Sequence, residues 1–128
     1  MRSKIQNAVA AFLFISAISG LVSSCKKENQ APVVVVNSPT GAIMFSVGDT
    51  IGIQGRVSDD AGLHEAGIVL VKSTGDTIFT DYPYVHDLKT YSFQYYFLPT
   101  VSGSYTLHVT AEDHMQAVTE KTVPFMVM

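Results

Sequence analysis

One cysteine, no tryptophan and only eight lysines and arginines are spread over the 128 residues. A lone cysteine excludes an internal disulfide, so no covalent staple holds the fold. The missing tryptophan removes the broadest platform for stacking sugar rings. Basic residues are few and unclustered, so no surface stands ready to neutralise phosphates, which excludes nucleic acid as a partner. Long apolar runs are scarce too. The one candidate runs from Ala8 to Val22, and at about 1.5 Å per residue it falls short of a hydrocarbon core roughly 30 Å thick. A permanent transmembrane helix is therefore the weaker reading of it. Helical periodicity is missing from everything that follows. There is no G-x-S-x-G elbow and no glycine-rich phosphate loop. "HEAGI" (64–68) opens like a metalloprotease helix, but Ile68 stands where a second histidine is needed.

What is present begins with an address. Arg2 and Lys4 precede the apolar run, and the small residues Ser23 and Ser24 lead into Cys25. A basic start, a short apolar stretch and small residues form a secretory signal pattern. Val22-Ser23-Ser24-Cys25 resembles a bacterial lipobox, which implies that Cys25 is acylated with palmitate-type chains and becomes the first mature residue. Acylation also removes the difficulty of an unpaired thiol in an oxidising compartment. Each buried methylene contributes about 0.8 kcal/mol, so two or more chains anchor durably in a bilayer. The expected organisation is a signal peptide at 1–24, the acylated cysteine with a flexible tether at 25–31, and one domain at 32–128. Without Arg2 and Lys4, eleven acidic residues outweigh the remaining basic ones.

The domain reads as strands and turns. "PVVVV" (32–36), "DTIGIQGRVS" (49–58), "AGIVLVKS" (66–73), "TIFTD" (77–81), "TYSFQYYFL" (90–98), "SYTLHVTAED" (104–113) and "VTEKTVPFMV" (118–127) alternate with period two or run apolar. Gly-, Asp-, Ser- and Pro-rich stretches separate them. "STGD" (73–76) is the clearest hairpin turn. "GDTI" occurs at 48–51 and again at 75–78, a repeated turn-to-strand entry rather than a duplication. Alternation places Ile51, Ile53 and Val57 on one face, and likewise Tyr91, Phe93, Tyr95 and Phe97. Tyr105, Leu107, Val109 and Ala111 point inward, and Pro124 belongs on a sheet edge. Seven strands in about 100 residues predict an all-β, seven-stranded antiparallel sandwich of the Ig-like or fibronectin III-like type.

"GSYTLHVTAED" resembles the penultimate strand of such domains, which puts Tyr105 at the tyrosine-corner position. "SDDAGLHEAGIVLV" together with "YTLHVTAEDH" resembles the uncharacterised Ig-like lipoproteins of Bacteroidetes over most of residues 47 to 127. The resemblance implies fold and address but no reaction. "DHMQA" replaces the Asp-x-x-Gly-Asn turn of cadherin-like relatives, so their calcium role is not carried over. Lys26 after the cysteine departs from the aspartate that retains enteric-type lipoproteins at the inner membrane. An outer-membrane lipid anchor, facing the periplasm or the cell surface, is the expected location.

The candidate chemistry lies in histidines. His108 is mid-strand on the outward face and reads as a polar surface residue. His64, His86 and His114 each fall in a loop, beside Glu65, Asp87 and Asp113. Tracing the strands up and down brings all three loops to one end of the sandwich. Three imidazoles with Glu65, Asp113 or Asp59 nearby suit Zn²⁺ or another divalent transition metal. The competing account is a hydrogen-bonded polar cap in which Asp113 and Glu65 satisfy loop amides. The tyrosines cluster between Tyr82 and Tyr105. Tyr82, Tyr84 and Tyr96 are the ones expected to face solvent, and core packing outweighs a glycan platform for the rest. The expected function is a non-enzymatic binding or structural module of the envelope, with the bilayer and an envelope protein or glycan as partners. The rivals are a small metal-dependent enzyme and a glycan-binding surface module.

Overall fold

A computed structural model describes residues 27–128. Cys25, the signal peptide and the start of the tether lie outside the described residues. The chain forms β1 (Val33–Ser38), β2 (Met44–Phe45), β3 (Ile51–Ser58), β4 (Leu63–Lys72), β5 (Thr77–Asp81), β6 (Thr90–Phe97), β7 (Gly103–Asp113) and β8 (Val118–Val127). All seven expected strands are present. They form two sheets, one in the order β1-β3-β6 and the other β2-β8-β7-β4-β5. The architecture is an Ig-like β-sandwich.

The eighth strand, β2, is two residues long and pairs parallel with the end of β8. Too short to show alternation, it is fixed by contact. Phe45 meets Phe125 edge-on at 5.7 Å, and the amides of Val47 and Met128 donate to the carbonyls of Met128 and Phe45. β2 covers β8 only at Met126 and Val127, so Pro124 sits where β8 has a neighbour on one side alone, as a residue without an amide hydrogen requires.

Period-two burial makes the core. Ile51, Ile53 and Val57 of one sheet face Ile68, Leu70, Leu107 and Val109 of the other, all of them buried. Each such side chain contributes about 1.5–3 kcal/mol by leaving water. Phe93 is buried, and Tyr91, Tyr95 and Phe97 pack at its margin. The Tyr105 hydroxyl donates to the carbonyl of Val101, four residues upstream, which is tyrosine-corner geometry. Both "GDTI" copies place their glycine at positive φ, +92° at Gly48 and +95° at Gly75, just before β3 and β5. The repeat is turn chemistry.

The boundary that departs furthest from expectation is the start of β4. β4 starts at Leu63 rather than Ala66, so His64 and Glu65 belong to a strand and not to a loop. Leu63 pairs with Asp113 but Glu65 pairs with Glu112, so His64 is the extra residue of a β-bulge. The bulge lets Leu63 and Ala66, three apart, both face the core. His64 and Glu65 are thereby turned outward together.

Candidate metal centre

β3 ends beside the 59–62 turn, β5 leads into the 82–89 segment, and β7 leads into the turn after Asp113. All three connections emerge at the same end of the sandwich. The 82–89 segment is stitched down by backbone bonds: Asp59 N donates to Lys89 O, Leu63 N to Leu88 O, and Asp87 N to Leu63 O, each at 2.8–2.9 Å. Val85 is buried beneath it and anchors it to the core. The strand register and these bonds bring His64, from the bulge, and His86, from the stitched segment, to meet His114 of the turn.

The three rings converge. Their centroids are 5.2 Å apart for His64–His86 and for His64–His114, and 4.7 Å for His86–His114. One nitrogen from each lies within 4.8 Å of the others. His64 Nδ1 and His86 Nδ1 stand 3.3 Å apart. Two nitrogens bound at about 2.05 Å to one tetrahedral zinc also lie about 3.3 Å apart. This pair is already at that spacing, and a small side-chain movement would bring in the third.

The outer nitrogens face carboxylates. His114 Nε2 is 2.8 Å from Asp87 Oδ1, which leaves its Nδ1 free. His86 Nε2 is 3.7 Å from Asp87 Oδ2, and His64 Nε2 is 3.9 Å from Glu65 Oε1. A carboxylate behind a ligating imidazole fixes its tautomer and raises its basicity. Asp87 hydrogen-bonds one ring and lies near a second, and does so from a left-handed backbone, φ +66°. Aspartate tolerates that conformation better than most residues. Two imidazole nitrogens at 3.3 Å can share a single proton, and a third ring aimed at the same point cannot join that bond. A cation accepts all three lone pairs.

The expected carboxylates separate. Glu65 stays at the rim, exposed, as a partner to His64 rather than part of the cluster. Asp113 is 1 % exposed and turned away from the rings. Its Oδ1 accepts the amides of Met115 and Ala117 at 2.8 and 2.9 Å, and its Oδ2 accepts the Asn29 side-chain amide at 2.7 Å. The Asn29 contact is the main reason its carboxyl is held below the usual range; the two backbone amides add to it, against the opposing effect of burial. Asp59 works alike, Oδ1 accepting the amides of Ala61 and Gly62. Both aspartates shape turns. Asp87 is the residue whose role the sequence did not announce beyond its place next to His86.

Beside the rings lies an open groove of about 450 Å³ lined by His64, Glu65, Tyr82, Pro83, Tyr84 and His86. Tyr82 and Tyr84 are 72 % and 84 % exposed, as expected, and so is Tyr96 at 63 %. Gly67 makes room for Tyr82: a Cβ there would come within 3.0 Å of its ring. Tyr91 and Tyr95 pack toward the core, and Tyr95 donates to Asp81 across the two sheets. His108 pairs with Glu120 on the neighbouring strand at 2.9 Å, away from the cluster.

No family model and no curated protein matches the sequence. Solved structures do. An engineered protein superposes with a TM-score of 0.56 at 17% identity, over 79% of this chain and 21% of its own length. The CARDB domain of a Pyrococcus furiosus protein, solved in complex with di-metal ions, superposes with a TM-score of 0.53 at 13% identity, over 80% of this chain and 94% of that one. The fibronectin(III)-like modules of Clostridium thermocellum CbhA give 0.48 at 20% identity, over 79% of this chain and 48% of theirs. The chain thus spans about a fifth of the engineered protein. Identities this low speak for the fold alone.

Proposed function

We propose that this protein is a non-enzymatic metal-binding module of the cell envelope, in which His64, His86 and His114 take up Zn²⁺ or another divalent transition metal. The observation that carries the reading is the convergence of three imidazoles from three separate connections, with Asp87 behind two of them. Nothing about fold stability requires three rings to aim at one point. Nitrogen ligands favour zinc, copper, nickel or iron over calcium and magnesium. In the same reading Cys25 carries the acyl chains and holds the module at the outer membrane, where an envelope protein or glycan is its partner. The lipobox-like junction and the likeness to Ig-like lipoproteins of Bacteroidetes support that half of it. A sandwich of similar fold, the CARDB domain, was solved in complex with di-metal ions.

Three protein ligands leave a fourth position for water or substrate, which keeps a small metal-dependent enzyme as the rival. Calorimetric titration of chelator-treated protein with Zn²⁺ tests the proposal. Micromolar or tighter binding at one ion per chain is expected, weakened at least a hundredfold in His64→Ala, His86→Ala and His114→Ala alike. No binding to the parent protein, or loss confined to one histidine, leaves the polar cap as the account of the cluster. Metal-dependent turnover of ester or phosphate substrates, lost in the same variants, would favour the enzyme.

A further inference from the structure

β1 starts at the histidine end of the sandwich, for Val33 pairs with Ser58, the residue immediately before Asp59. The chain upstream of β1 stays there. Pro32 is buried and its carbonyl accepts the Thr119 hydroxyl at 2.6 Å. Asn29 donates to Asp113, next in sequence to His114, at 2.7 Å. The Lys27 ammonium lies 3.2 Å from Asp60 in the 59–62 turn. Lys27, Asn29 and Gln30 share a groove with Asp60, Ala61 and Met115. The exposed ion pair holds little by itself, but the two part-buried hydrogen bonds fix the segment's course. Residues 27–31, the described part of the expected tether, therefore run as a strap across the turns that carry the histidines.

Chain length limits how far an anchor at Cys25 can stand from the strap. Cys25 precedes Lys27 by two residues, and two residues reach at most about 7 Å whatever path they take. We infer that the histidine end of the sandwich faces the lipid bilayer, with residues 27–32 acting as a short strap that holds the histidine cluster beside the headgroups. This rests on the acylation of Cys25 in the reading above. A free tether of seven residues would have a root-mean-square span of roughly 15 Å and set no orientation. A docked strap sets one.

The face so presented suits a headgroup layer. Tyr82, Tyr84, Leu88 and Met115 are exposed on its connections. Tyrosine rings, apolar with one polar end, favour membrane–water interfaces. Lys27 and Lys89 are outnumbered there by Glu28, Asp60, Glu65 and Asp87, so acyl chains rather than anionic lipids supply the attraction. A bound dication would offset part of that negative charge. Partners that fill the fourth coordination position would then be met at the membrane surface and not in bulk solvent.

The full chain, produced in a bacterium that processes lipoproteins, can be reconstituted in phosphatidylcholine vesicles. An environment-sensitive fluorophore is placed on Tyr84→Cys, at the histidine end, or on Thr74→Cys, on the opposite hairpin. Quenching by headgroup-labelled nitroxide lipid should be at least threefold stronger at position 84. With the strap broken by Lys27→Glu and Asn29→Ala together, that ratio should fall toward one. An acylated chain quenched equally at both positions, or more at 74, overturns the inference while leaving the anchor intact. A bias that survives the broken strap overturns the strap's part in it. A chain whose N-terminal peptide carries no acyl mass overturns the anchor, and the inference with it. Zinc titration in detergent reports on the metal site separately from all of these.

Discussion

At one end of the sandwich Gly48, Gly75 and Gly103 supply the positive φ values, and the turns close through backbone bonds such as Gly48 N to Pro99 O and Gly75 N to Lys72 O. At the other end Gly62 is joined by two residues with side chains in the left-handed region, Asp87 and Gln116. There the turns are tied by the buried carboxylates of Asp59 and Asp113. The first end is the economical solution to reversing a strand. The second accepts backbone strain and carboxylate burial, and in return three imidazoles meet. Strain of this kind concentrates where a site must be held in place. The contrast marks the histidine end as the one whose turns are held under strain.

The largest effect should erase the contrast altogether. Leu107 lies fully buried at the centre of β7, paired with Leu70 and Val123. Leu107→Ala removes its apolar contacts and leaves a cavity, at about 2–5 kcal/mol. Chemical denaturation should show both ends lost in a single transition at lower denaturant. Two separate transitions would mean that the histidine end folds as its own unit.

Asp87→Ala should do the reverse, separating function from fold. It leaves the core untouched but takes the carboxylate from behind His86 and His114. Zinc affinity should fall by about 10- to 100-fold, the usual cost of losing such a partner. The metal-free melting temperature should fall only slightly: alanine costs somewhat more than aspartate in the left-handed backbone, but the segment stays stitched through the Asp87 amide. Unchanged zinc affinity would reduce Asp87 to a bystander.

A matched pair of turn substitutions sharpens the comparison further. Gly75→Ala forces a Cβ onto φ +95° at the plain end and should cost about 1 kcal/mol. Gln116→Gly relieves φ +64° at the histidine end, and the gain is partly offset by the freer unfolded chain, for a net of a few tenths of a kcal/mol. Equilibrium unfolding in denaturant gives both values. Opposite signs are expected; equal signs would remove the claim that strain is stored at one end.

Most of the fold was legible because a sandwich writes itself in period two. The inward faces of β3, β6 and β7 could be read from alternation, and counting strands up and down was enough to gather three distant histidines. Four features were not legible. β2 is too short to carry a period. The bulge at His64 was visible only as a slip of phase between Leu63 and Ala66, which reads equally well as a strand that starts later. The sorting of the carboxylates depended on turn geometry: Asp113 and Asp87 each neighbour a histidine in sequence, yet one turns toward backbone amides and the other toward imidazoles. The strap was read as a linker because polar residues before a proline carry no signal that they will dock.

The smallest expected effect links that strap to the stability of the histidine end through pH. The Asn29 amide, helped by the amides of Ala117 and Met115 and by the neighbouring His114, keeps the Asp113 carboxyl below its ordinary value in the folded state. The unfolded chain has the ordinary value, so it takes up the proton first as the solution is acidified. The stability contributed by Asp113 is therefore complete above the ordinary carboxylate value of about 4. It is lost as pH falls from there through the lowered folded value. Melting temperatures of metal-free protein between neutral pH and the acid limit should show this loss, and Asp113→Asn should flatten that part of the curve. Asn29→Ala removes the largest cause of the lowering, so its acid loss should be smaller than that of the parent. The plain end offers the control: its turns close without a buried carboxylate, and Gly75→Ala should shift the whole curve down without changing its acid limb. If Asn29→Ala leaves the acid limb as steep as before, the strap does not reach Asp113 in solution, and the two ends differ in their turns alone.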